Sequence, residues 1–450
     1  MVYMTDDFIK RDLSVVWHPC TQMKDHESLP MIPIRSGQGV WLEDMEGNRY
    51  IDAISSWWVN LFGHCHPAIS AAIKEQLDRL EHVLLAGFTH EPVLRLSERL
   101  IEIVPPGLTR CFYAENGSSA IEIAMKMSFH YWLNCGKPEK KKFISLENSY
   151  HGETLGALSV GNVPLYRKTY APLLLETITA PSPDCFVREP GESWEQHSSR
   201  IFQDIDRLLS VHADEVCAVV IEPLVQCAGN MRMYHPVYLA LLREACDRYG
   251  VHLIADEIAV GFGRTGTMFA CEQAAITPDL LCLSKGLTAG YLPFSVTMAT
   301  EQIYQAFYDD YNNLTAFLHS HSYTGNPLGC SAALACLDLF KNGNVLENNR
   351  ELARAMQTMT ADLEQHPHVA EVRQHGMILA IELVQDKKNR IPFPWQERRG
   401  LIVYRHALAN GVLLRPLGTV VYLMPPYIVT PEQLEKIISV AREGIDLAVQ

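Results

Sequence analysis

Between residues 111 and 300 the chain repeats one pattern, a short apolar run rich in β-branched and aromatic residues alternating with segments of helical spacing. The runs are Cys111-Phe112-Tyr113, Lys142 to Leu146, Val216 to Ile221, Val251 to Ala255, Leu280 to Leu283 and Phe294 to Met298, with helices such as Pro236 to Tyr249 between some of them. Strands that are apolar on both faces belong in a mainly parallel sheet covered by helices. The expected fold class is therefore α/β, with any ligand held outside the carboxyl ends of the strands.

The flanking regions differ. Residues 1 to 60 carry short alternating runs, Val40 to Leu42 and Arg49 to Asp52, with turn signals at Ser36-Gly37 and Glu46-Gly47-Asn48, and are expected to form a small β-rich lobe. Helices follow from Pro67 to Val83 and from about Pro92 to Ile103. Beyond 330, long helices near 326 to 341, 345 to 364, 396 to 410 and 431 to 448 alternate with short strands at 369 to 373, 377 to 384, 412 to 415 and 420 to 423. The expectation is a large domain over 61–330 and a smaller α+β domain assembled from 1–60 and 331–450.

Composition narrows the function. A net charge of -14 with no basic block argues against a nucleic-acid partner. Apolar runs are too short for a membrane span, and the charged start MVYMTDDFIKRD does not read as a signal peptide, so a cytoplasmic protein with small-molecule substrates is expected. The 12 cysteines form no C-x-x-C pair, which suits reduced thiols better than disulfides or zinc. His64-Cys65-His66 has no companion ligand cluster and runs into Pro67, so it reads as a loop and no metal is expected.

Two strand ends carry the chemistry. Asp256 closes VHLIAD, and Lys285 follows LLCLS and precedes a glycine-containing turn. A lysine taken alone is ordinarily a surface residue, and an aspartate at a strand end is ordinarily a cap. Side by side at one sheet edge they suit a carbonyl cofactor: a desolvated amine attacks an aldehyde, and a carboxylate keeps a pyridine nitrogen protonated. Upstream, Glu115 to Ser119 precedes a helix over Ala120 to Trp132, with Ser119 and Glu122 at capping-box spacing; this fits an anion cradle or an ordinary capped helix.

The run DEIAVGFGRTG followed by PDLLCLSKGLTAG resembles the class III, or omega, aminotransferases of the fold type I pyridoxal-phosphate enzymes, and the resemblance covers the whole chain in order. It implies a seven-stranded type of sheet, pyridoxal 5'-phosphate as cofactor, Lys285 as its anchor and general base, and Asp256 at the pyridine nitrogen. It also implies a phosphate cup at Gly117 and Ser118, with Tyr150 of Tyr150-His151-Gly152 over the ring. The loop His319 to Asn326 corresponds to one that reaches the phosphate of a neighbouring subunit, with Ser322 at the hydroxyl position and Ser320 at the substrate site, so a homodimer with shared sites is implied.

Trp17-His18-Pro19, Ser55-Ser56-Trp57-Trp58, Met231 to Pro236 and Leu423 to Tyr427 resemble the branch of that family that aminates 8-amino-7-oxononanoate to 7,8-diaminononanoate in biotin formation. S-adenosylmethionine is the usual donor and lysine the exception. Such a keto acid needs an aromatic wall and a distant cation. The resemblance implies Trp57 and Trp58 for the wall, Arg415 for the carboxylate with Tyr422 near it in the substrate site, and Arg264 in the active site or, alternatively, in a structural ion pair. Neighbouring residues on a strand face opposite ways, so one tryptophan is expected in the core. The branch often reads W-H-P-Y where this chain has Cys20, which removes a ring and a hydroxyl from the substrate site. Other readings are an aminotransferase for a diamine or an ω-amino acid, and a silent cofactor-binding protein.

Overall fold

The computed structural model describes residues 2–29 and 31–450; Met1 and Pro30, which fall in the expected 1–60 lobe, lie outside them. Its centre is a seven-stranded sheet: β1 (Leu108–Ala114), β2 (Lys142–Leu146), β3 (Ile178–Ala180), β4 (Val216–Ile221), β5 (His252–Asp256), β6 (Leu280–Leu283) and β7 (Ser295–Thr300). The order across the sheet is β1-β7-β6-β5-β4-β2-β3. β7 runs antiparallel to both neighbours, and the other pairings are parallel. Every residue of β4, β5 and β6 is buried, as continuous apolar runs require when helices cover both faces.

Register sets the site. Asp256 pairs with Cys282 across β5 and β6, so the ends of both strands reach the same edge and Lys285 emerges beside Asp256. Between strand ends the chain returns through helices such as Gly117–Asn134, Trp194–His212 and Pro236–Tyr249, the last closed by Gly250 in the left-handed conformation.

The terminal regions meet in smaller sheets. Ile34–Gln38, Trp41–Asp44 and Arg49–Asp52 form antiparallel neighbours, and Arg49–Asp52 also pairs in parallel with Val412–Leu413. Val369–His375, Ile378–Leu383 and Val420–Leu423 form an antiparallel sheet whose middle strand is wholly buried.

Two local expectations need correction, and one strand lies outside the expected runs. The chain opens not with strands but with the helix Val2–Val15, which the spacing of Phe8, Ile9 and Leu13 could have revealed. The Pro67 helix stops at Leu77, short of Val83. β3 has only three residues, too few for an apolar run to stand out. No helix among the described residues is long and apolar enough to cross a membrane.

Candidate active site

A cavity of about 720 Å³ opens at the carboxyl edge of the sheet, lined in part by Gly117, Ser118, Tyr150, Asp256 and Lys285. Lys285 follows β6 with a φ of 43° and begins a short turn that carries its side chain into the protein. Burial pushes its amine below the usual lysine range, opposed chiefly by the charge of Asp256. A neutral amine is the form that attacks a carbonyl carbon.

Asp256, the last residue of β5, is also buried. Its Oδ1 accepts the Ile258 N–H at 3.0 Å and its Oδ2 lies 2.8 Å from His151 Nδ1, so the carboxylate is held at both oxygens. Glu222 lies just beyond the end of β4, its carboxylate accepting the N–H groups of Tyr150 at 2.9 Å and Cys227 at 3.0 Å. Burial and then the charge of Asp256 push its acid well above the carboxylate range, against those two N–H groups and Lys285.

Opposite these groups lies the start of the Gly117–Asn134 helix. Asn116 is its cap, accepting the Ser119 N–H at 2.9 Å, which overturns the expected Ser119–Glu122 capping box. The helix begins earlier than the sequence spacing implied, and Glu122 instead accepts the N–H groups of Gly156 and Ala157 at 2.7 and 3.2 Å. A Cβ on Gly117 would stand 2.8 Å from Cγ2 of Ile258. Glycine is what lets the turn after Asp256 close on the helix N-terminus. Ser118 Oγ lies 2.7 Å from Thr154 Oγ1. Free N–H groups and a hydroxyl at a helix start suit a phosphate.

The far wall is a left-handed turn. Ser55, Ser56, Trp57 and Trp58 have φ values of 52°, 45°, 73° and 74°, a run that costs non-glycine residues roughly 1–2 kcal/mol each. The segment is a turn and not a strand, and both indoles line the cavity, yet they divide in burial as expected: Trp58 belongs to the hydrophobic core and Trp57 does not. Trp58, 4% exposed, donates its Nε1–H to Tyr422 Oη at 3.1 Å and lies with its ring centre 5.2 Å from Lys285 Nζ. Trp57, 39% exposed, has the Arg415 guanidinium carbon 4.6 Å from its ring centre.

The matching family model, "Aminotransferase class-III", spans residues 22–443. Two curated relatives, from Helicobacter pylori and Geobacter sulfurreducens, are 48% and 45% identical over 440 and 444 residues. Those alignments cover 97% of this chain and of the first relative, and 98% of this chain and of the second. Both are named adenosylmethionine-8-amino-7-oxononanoate aminotransferase. The crystal structure of the Methanocaldococcus jannaschii protein of that name matches at 37% identity with a TM-score of 0.93, covering 98% of this chain and 99% of that one. An omega transaminase from Pseudomonas jessenii, solved in complex with PMP, matches at 28% identity and a TM-score of 0.93 over 98% of each chain.

The chain belongs to the class-III aminotransferase family.

The cofactor of this class-III aminotransferase is pyridoxal 5'-phosphate, and the cavity fits it: a half-buried amine held below the usual lysine range for the aldehyde, a buried carboxylate for the pyridine nitrogen, and a helix start kept open by glycine for the phosphate. Tyr150 is anchored nearby, its N–H on Glu222 and its hydroxyl donating to Glu153 Oε1 at 3.0 Å.

One expectation changes. Arg264 does not line the cavity; it is 1% exposed beneath the turn and donates to the carbonyls of Pro425 at 2.8 Å and Asn60 at 3.0 Å, so backbone groups take the place of the expected substrate or ion-pair partner. Ser320 and Ser322 lie outside the lining of this chain's own cavity, on a stretch where His321 Nδ1 meets Glu115 Oε2 at 2.5 Å and His319 Nδ1 meets Lys126 Nζ at 2.9 Å. Sequence reading missed Glu222, Glu153 and Tyr166. Glu222 follows a predicted strand, and the rule that placed Asp256 applies to it equally. Tyr166 packs against Tyr150 with ring centres 5.4 Å apart, and its hydroxyl lies 3.9 Å from Cys20 Sγ, so a phenol stands beside the position where Cys20 supplies none.

Proposed function

We propose that this enzyme aminates 8-amino-7-oxononanoate to 7,8-diaminononanoate, with S-adenosylmethionine as donor, in biotin formation, by two half-reactions that share one site. The supporting observation is identity of 45–48% over nearly the whole chain to relatives that carry that activity in their names. When bound, pyridoxal phosphate supplies the electron sink for breaking the bond to hydrogen at the substrate carbon.

In this reading Lys285 holds the aldehyde and then moves the proton at that carbon, a task that fits an amine whose pKa burial has lowered. Asp256 keeps the pyridine nitrogen protonated, Tyr150 covers the ring, and Gly117 and Ser118 bind the phosphate. Trp57, Trp58 and Tyr422 wall the apolar chain of the keto acid, and Arg415 binds its carboxylate. Arg264 acts from beneath, through the backbone of the Trp58 turn. We assign Ser322 to the phosphate and Ser320 to the substrate of a second copy, which makes the enzyme a homodimer, and we place it in the cytoplasm. The division into a 61–330 domain and a domain of 1–60 with 331–450 belongs to the same reading.

The test is a donor panel. The pyridoxal form is mixed in turn with S-adenosylmethionine, lysine, ornithine and 4-aminobutyrate, and loss of its visible absorbance is followed; the bleached enzyme then receives 8-amino-7-oxononanoate. Bleaching by S-adenosylmethionine and recovery with the keto acid are expected. Bleaching by ornithine or 4-aminobutyrate alone would establish the second reading, an omega-aminotransferase for a diamine or an ω-amino acid. No bleaching by any amine would mark a silent cofactor-binding protein. Lys285→Ala is expected to abolish both turnover and the visible band.

A further inference from the structure

The turn that presents both indoles also spans the length of the cavity, since Trp58 faces Lys285 and Trp57 faces Arg415. Asp52 is one of the groups that hold four consecutive left-handed residues in place. This residue ends the strand Arg49–Asp52 and is fully buried. Its Oδ2 accepts the Ser56 hydroxyl at 2.7 Å and lies 3.1 Å from His64 Nε2, while its Oδ1 accepts the Ile54 N–H at 3.4 Å. His64 is fixed in turn, with Nδ1 3.2 Å from Asn60 Nδ2 and its N–H and C=O both paired with Gly39.

Asp52 also stands at the root of the Arg415 segment. It is in register with Leu413, two residues before Arg415, and the Ala53 N–H donates to the Leu413 carbonyl at 3.2 Å. On the other side Ser55 Oγ donates to the Met424 carbonyl at 2.7 Å, tying the turn to the strand that carries Tyr422. One buried carboxylate therefore sits where the indole turn and the arginine segment leave a common ladder.

We infer that Asp52 is a positioning residue for substrate selection: by pinning the Ser55–Trp58 turn beside the Arg415 segment it fixes the distance between amine and guanidinium, and with it the keto acid chain length the enzyme accepts. This inference rests on the reading of Arg415 as the carboxylate partner.

The holoenzyme and its Asp52→Asn and Ser56→Ala variants are assayed with 8-amino-7-oxononanoate and with homologues one methylene shorter and one longer. Asp52→Asn is expected to raise KM for the native keto acid about tenfold, as loss of a hydrogen bond to a buried charge does. The change in kcat should stay below about threefold, and the kcat/KM preference for the native length should fall by about threefold or more. Ser56→Ala, which removes only the 2.7 Å bond, should shift KM and preference the same way by a smaller factor. Unchanged KM and length preference in both variants, or a fall in kcat with both retained, would overturn the inference. If Asp52→Asn fails to fold, Ser56→Ala decides by the same readings. Arg415→Ala separates the layers: unchanged KM there refutes the carboxylate assignment, whereas a raised KM there with neither Asp52 nor Ser56 affecting length preference refutes this inference alone.

Discussion

His151 Nδ1 stands 2.8 Å from Oδ2 of Asp256, and both side chains are buried. An ionised carboxylate only accepts, so Nδ1 carries the proton and donates. The bond fixes the orientation of Asp256, which lines the cavity. His151→Ala is expected to weaken pyridoxal phosphate binding about tenfold to a hundredfold, the worth of a hydrogen bond to a charged group. Titration of the apoprotein followed by visible absorbance measures it. Unaltered affinity would show that the strand end alone holds Asp256.

Glu222 makes a prediction about pH. Its folded pKa is raised by burial first and by Asp256 second, so above the ordinary carboxylate range the unfolded chain releases this proton while the folded one keeps it. The folded state then binds more protons, and stability falls as pH rises from the unfolded pKa toward the folded value. Glu222→Gln removes that term. The apoprotein variant should lose less melting temperature than the wild type between about pH 5 and about pH 8. Equal losses would mean that the N–H groups of Tyr150 and Cys227 keep the carboxylate ionised throughout.

The chemistry of the central sheet was legible because it depends on local signals. Apolar runs mark most of the strands, and the rule that ligands gather at their carboxyl ends brings Asp256 and Lys285 together from sequence alone. The far wall was not legible for a physical reason. Nothing in SSWW announces a left-handed turn, since serine and tryptophan disfavour it; Asp52, Arg264 and the Met424 carbonyl impose it from segments distant in sequence. Arg264 misled in the same way, because an arginine in a glycine-rich loop reads identically whether it faces substrate or backbone carbonyls.

Gly117 tests the phosphate cradle. A methyl group there would stand 2.8 Å from Cγ2 and 2.9 Å from Cδ1 of Ile258, so either the helix start or the turn after Asp256 must shift. Gly117→Ala is expected to destabilise the protein by about 1–3 kcal/mol, as overpacking does. It should also reduce the rise in melting temperature that pyridoxal phosphate gives, because the displaced N–H groups lose the phosphate. A variant with normal stabilisation by the cofactor would place the phosphate elsewhere.

The guanidinium of Arg415 lies over the Trp57 ring, with 4.6 Å between guanidinium carbon and ring centre, and both residues line the cavity. The cation–π contact holds the planar fork in place, which a point charge on a flexible stem does not need. Arg415→Ala should raise KM for the keto acid about tenfold or more with little change in kcat, since the carboxylate is bound alike in ground and transition states. Arg415→Lys keeps the charge but loses the fork, and should fall between. Trp57→Ala should raise the same KM by a smaller factor, and combined with Arg415→Ala it should add less than its single effect, because an indole without its guanidinium has nothing left to orient. Strictly additive effects in that cycle would show that the two side chains meet substrate independently.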